Sequence, residues 1–88
     1  MEVFIYFHSS LPDSRDVFED TIEERLSGKG EVTGGGSGNR GSNIDLRIYD
    51  DAADIPGLLT LLKGLLTELK APPDTVVDIG GQRYRLGS

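Results

Sequence analysis

The sequence predicts one small α+β domain, an antiparallel sheet carrying two helices on one face. Three observations carry that expectation. Two amphipathic stretches of helical period alternate with short β-branched and aromatic runs. One pair of those runs lies between the helices and another follows the second, so the elements read β-α-β-β-α-β-β. With 88 residues, the chain can enclose a single core and has little to spare for a second.

Val3-Phe4-Ile5-Tyr6-Phe7 reads as the first strand. Val3, Ile5 and Phe7 share one face, and Phe4, Tyr6 and His8 the other. With both faces largely apolar, this strand is expected at the centre of the sheet. Ser9 to Ser14 holds turn and cap residues, and Asp13 or Ser14 is placed to cap the helix that follows. That helix runs to about Leu26 with Val17, Phe18, Ile22 and Leu26 as its buried stripe, and Ser27-Gly28-Lys29-Gly30 ends it.

Glu31-Val32-Thr33 is a short strand. Asn43 to Tyr49 is a better one, with Ile44, Leu46 and Ile48 inward and Asp45, Arg47 and Tyr49 outward. Asp50, Asp51 and Asp54 precede Pro56, where carboxylates favour the positive end of a helix dipole. The second helix, about Pro56 to Lys70, holds Leu58, Leu59, Leu61, Leu62, Leu65, Leu66 and Leu69; Ala71-Pro72-Pro73-Asp74 stops it. Thr75 to Ile79 and Gln82 to Leu86 form two strands joined by Gly80-Gly81, a two-residue hairpin signal. Two β-α units separated by a hairpin make the ferredoxin-like arrangement, here with one extra C-terminal strand.

Nine basic and fifteen acidic residues leave a net charge of −6. Such a chain repels phosphate backbones, so no nucleic-acid partner is expected, and a basic protein is the sign-matched one. The absence of cysteine excludes disulfides and thiolate chemistry. The longest apolar stretch, Ile55 to Leu69, is interrupted by Lys63 and is too short for a bilayer, and the strand-like N-terminus lacks a basic leader region. A soluble cytoplasmic protein with no membrane partner is expected.

Between the second and third strands, Gly34 to Ser42 reads Gly-Gly-Gly-Ser-Gly-Asn-Arg-Gly-Ser, with Gly36, Gly38 and Gly41 spelling GxGxxG. A nucleotide fingerprint needs a helix after the glycine turn, and here a strand follows. A flexible hairpin loop over 34–42 is therefore expected. An anion held by Gly36, Gly38, Arg40 and Gly41 is the weaker alternative.

The first helix carries Asp16, Glu19, Asp20 and Glu23 on one side, with Arg15 in reach of Glu19. Like charges at these spacings cost about 0.2–0.5 kcal/mol per pair, which a basic partner would relieve. The leucine helix has few polar residues, among them Thr60, Lys63, Thr67 and Lys70, and its apolar arc is wider than one sheet face requires. The surplus meets the first helix or marks self-association.

His8, Ser9, Ser10 and Asp13 do not make a nucleophilic set, because adjacent strand residues point to opposite faces. Asp50, Asp51 and Asp54 lack an EF-hand pattern, so neither metal nor cofactor is expected. Gly80-Gly81-Gln82 matches the tripeptide of peptide-release factors and reads as a turn. Phe4, Tyr6, Tyr49 and Arg47, with Arg83 or Arg85, belong to the open sheet face. That combination resembles RNA-recognition domains, whose third-strand aromatics are missing at Ser42, Asn43 and Ile44. Asp54-Ile55-Pro56-Gly57-Leu58-Leu59 resembles the strand-to-helix turn of ACT regulatory domains, which implies a small-molecule or anion-sensing module.

The leading expectation is a non-catalytic protein-binding module in which Asp16, Glu19, Asp20 and Glu23 face a basic partner. In size and charge it is similar to inhibitory, toxin-neutralising immunity proteins.

Overall fold

The computed structural model describes residues 1–9, 15–38, 41–49 and 54–87. Seven elements follow in chain order: β1 (Glu2–Phe7), α1 (Arg15–Leu26), β2 (Gly30–Gly38), β3 (Gly41–Ile48), α2 (Ile55–Glu68), β4 (Val76–Ile79) and β5 (Gln82–Arg85). They build one antiparallel sheet in the order β2-β3-β1-β4-β5.

β1 takes the middle place, with Val3, Ile5 and Phe7 buried on one face and Phe4 and Tyr6 half-buried on the other. It pairs with β3 on one side (Val3↔Leu46, Ile5↔Ile44) and with β4 on the other (Val3↔Ile79, Ile5↔Val77). Each β-α-β unit is thereby split by a strand of the other, the interleaving that the element order predicts. The sheet departs from the four-stranded ferredoxin-like pattern by β5, which adds an outer strand against β4.

One face of the sheet carries the core. Val3, Ile5 and Phe7 of β1, Ile44, Leu46 and Ile48 of β3, and Val77 and Ile79 of β4 are buried in one cluster. Phe18, Ile22 and Leu26 of α1 and Leu62, Leu65 and Leu66 of α2 close it, so both helices lie on that face. Phe7 and Phe18 meet edge to face, with centroids 5.5 Å apart. Val17 departs from its expected place in the stripe and is exposed: the i, i+4, i+8 row of Phe18, Ile22 and Leu26 fills the contact without it. The surplus of α2 also divides, with Leu58, Leu59 and Leu69 half-buried against the core and Leu61 exposed.

α2 ends two residues before the expected Lys70. Lys70 takes a left-handed φ of 60° and donates its N–H to the Thr67 carbonyl, while the Ala71 N–H reaches the Leu66 carbonyl. This is a Schellman end with a lysine in the place glycine usually holds. Between β4 and β5, Gly80 and Gly81 have φ of 58° and 89°, the mirror-image turn expected of a two-residue hairpin.

The glycine segment differs from the expected loop. β2 runs through Gly34, Gly35, Gly36, Ser37 and Gly38, and β3 begins at Gly41, so both strands pair to Gly38↔Gly41. The register shifts between Val32 and Gly34, placing a bulge at Thr33. Glycine has low strand propensity, but here pairing with β3 decides the outcome. At Gly35 a Cβ would stand 2.5 Å from the Asn43 carbonyl oxygen, so the missing side chain permits this close approach. The expected helix caps Asp13 and Ser14 and the acids Asp50 and Asp51 lie outside the described residues.

Candidate functional site

Three surfaces present chemistry: the open sheet face, the outer side of α1, and the free edge of β2. The open face follows from the pairing register. Gly36, Asn43, Tyr6, Val76 and Arg85 form one row across the sheet, and Gly34, Asp45, Phe4, Asp78 and Arg83 the next. Phe4 and Tyr6 lie 6.3 Å apart with rings inclined by 28°, and the Arg83 guanidinium stands 5.7 Å above the Tyr6 ring.

The charges of this face are engaged with one another. Arg47 pairs with Glu2 at 3.3 Å and Arg83 with Asp78 at 3.6 Å, while Asn43 donates to Asp45 at 2.8 Å. Arg83 therefore serves both Tyr6 and Asp78, and the aromatic pair sits in a charge-balanced lattice. Tyr49 donates its phenolic O–H to Glu31 at 2.7 Å. Ionising that phenol would break the bond and set two anions side by side, so its pKa is raised above the ordinary 10.0.

On α1, the predicted acids occur as a solvent-facing row. Asp16, Asp20 and Glu23 are exposed, as is Glu24, and Glu19 is half-buried. Arg25, the basic residue of the last turn, does not neutralise this row: it reaches across to Glu68 of α2 at 2.7 Å. Sequence spacing found the row but not its neighbour. α1 packs against β2, and the Glu23 carboxylate accepts the Val32 N–H at 3.3 Å. The acidic row thus stands along the outer margin of the sheet.

That margin is the free side of β2. The Val32 N–H points away from β3 to reach Glu23, whereas just before β2 the Lys29 carbonyl accepts the N–H of Tyr49, the residue after β3. Backbone groups of an antiparallel strand alternate between partner and outside. Gly30 and Gly35 share a signature of the outward phase, since a Cβ at either would press on a β3 carbonyl oxygen, that of Arg47 or Asn43. Beyond the bulge, Gly35 and Ser37 therefore turn their N–H and C=O groups away from the sheet.

The anion candidates fall elsewhere than sequence reasoning placed them. Gly36, Gly38 and Gly41 are strand residues, with Gly36 opposite Asn43 and Gly38 opposite Gly41. An anion nest needs successive amides converging in a turn, and paired strands point theirs in alternate directions. Arg40 lies outside the described residues. Gly41 has a φ of 134°, and a Cβ there would collide with the Phe7 carbonyl, so its own backbone accounts for it.

His8 is exposed at the end of β1, and Ser9 donates its hydroxyl to Asp74 at 2.7 Å, tying β1 to the segment before β4. At the ACT-like turn, Asp54 precedes α2 and its carbonyl accepts the Leu58 N–H. Among the described residues no group of three or more His, Cys, Asp or Glu is placed to hold a metal, and no helix is long and apolar enough to cross a membrane. Compared with protein-family models, curated proteins and solved structures, the chain matches none.

Proposed function

We propose that this chain is a non-catalytic protein-binding module whose acidic α1 surface engages a basic partner. One observation carries the reading: Asp16, Asp20 and Glu23 are presented outward together while Arg25, the basic residue of the last turn of α1, is committed to Glu68. Carboxylates gathered on one side of a helix repel one another, and a partner's lysines or arginines would relieve that repulsion and steer the encounter. The open sheet face supports the reading less, because its charges already pair internally.

The experiment is a titration of the chain with a capped octalysine peptide, followed by backbone amide shifts. Binding should perturb α1 and weaken steeply with salt. The double substitution Asp16→Lys and Asp20→Lys should lower affinity at least tenfold while far-ultraviolet circular dichroism stays unchanged. Shifts confined to another surface, or an unaltered affinity in the folded double variant, would overturn the proposal. An inhibitory or immunity-type role would be one use of such a surface.

A further inference from the structure

We infer that the partner binds as an added β-strand: an extended basic segment pairs with the outer edge of β2 over Gly34–Gly38 and lays its alternate side chains against the acids of α1. The inference rests on the acidic-surface reading above and specifies how that surface is used.

The two edges of the sheet differ. β5 is four residues long and carries Arg83 and Arg85, the short, charged design by which natural sheets discourage pairing. β2 is nine residues long, and its second half, from Gly34 to Gly38, bears no charged side chain and no proline. Its first half is guarded, because the bulge at Thr33 disrupts the edge and Glu23 occupies the Val32 N–H. The guard stops at the bulge. Past it, Gly35 and Ser37 offer outward backbone groups, and the small residues allow another backbone to approach closely.

Charge selects the occupant. α1 runs antiparallel to β2, as the helix of a β-α-β crossover does, so stepping back along α1 from Glu23 follows β2 forward from Val32. The seven residues from Glu23 to Asp16 rise about 10 Å, and the three steps from Val32 to Gly35 advance about 10 Å. Glu19 and Asp20 therefore stand level with the bulge and the start of the unguarded half, and Asp16 level with Gly35. An added strand would send every second side chain to this side, so the partner should carry Lys or Arg at alternate positions. A second copy of this chain fits poorly, since it would bring another net charge of −6 and another acidic row to the same edge.

The test uses the whole chain and a capped eight-residue peptide of alternating lysine and threonine. Two further versions carry backbone N-methyl groups on the lysines or on the threonines, which remove the N–H groups of one peptide edge and leave the charge intact. Binding of the parent peptide should slow hydrogen exchange at Gly35 and Ser37, and at least one N-methylated version should bind tenfold or more weakly. If both bind like the parent while Asp16→Lys with Asp20→Lys weakens all three, strand addition is wrong and the acidic-surface reading stands. If no version binds, both fall. Should Gly35 and Ser37 already be protected in a peptide-free dimer, the edge belongs to a second copy, and the inference is overturned.

Discussion

Replacing Gly41 with alanine separates a structural glycine from a ligand-binding one. The residue has φ of 134°, and a Cβ there would run into the Phe7 carbonyl and lie 3.4 Å from the His8 Cα. Holding a non-glycine residue in such a region costs about 1–3 kcal/mol. Relieving the collision requires β1 and β3 to part at the Phe7↔Ser42 end of their ladder, with loss of about one backbone hydrogen bond, worth ~1 kcal/mol. The sum is about 2–4 kcal/mol, which in a domain of this size lowers Tm by about 10–30 °C. Gly36→Ala is the control, because its Cβ would stand 3.4 Å from the Asn43 side-chain oxygen, at the near limit of an ordinary van der Waals contact and with no backbone in the way. It should change stability by less than about 1 kcal/mol. Urea unfolding followed by circular dichroism, with calorimetry for Tm, measures both. A Gly41→Ala variant within 1 kcal/mol of the parent, or a Gly36→Ala variant equally damaged, would refute the reasoning.

Three more perturbations have definite signs. Thr75 is fully buried and its hydroxyl has no hydrogen-bond partner among the described residues, so Thr75→Val should stabilise the fold by ~1 kcal/mol in urea unfolding. Lys70→Gly removes a strained left-handed lysine from the end of α2 and should gain about 0.5–1 kcal/mol by the same measurement. Because the Tyr49 pKa is raised by its bond to Glu31, its stabilising contribution is complete below pH 10 and declines as pH rises through the folded-state value. Glu31→Gln should bring the Tyr49 midpoint down, read by carbon NMR of the labelled phenol ring; an unchanged midpoint would remove Glu31 as the cause.

The sheet was legible where side chains alternate strictly. Val3-Ile5-Phe7 and Ile44-Leu46-Ile48 announce their inner face by period alone, and both lie in the core. Glycine carries no such period, so Gly34 to Gly38 reads as a break although it is a strand; only pairing with β3 reveals it. Val17 misled for a related reason, since helical spacing names candidates for a stripe and packing chooses among them. The acidic row of α1 could be read from spacing, whereas its position beside a free edge could not, because the Glu23 contact with Val32 depends on how α1 crosses the sheet. Arg25 likewise gave no local sign of Glu68, 43 residues later.

The central place of β1 has a consequence for how the chain folds. Its pairing partners are remote: Glu2 lies opposite Arg47, and Val3 opposite Ile79. A ribosome delivers this strand well before β3 and β4, so neither neighbour exists until long afterwards. Closing such loops precedes any reward from the contacts they make, so folding should be slow for so small a domain. Meanwhile Val3-Phe4-Ile5-Tyr6-Phe7, apolar on both faces, waits as a sticky extended segment. The same five residues that organise the finished sheet are therefore its chief aggregation hazard during synthesis.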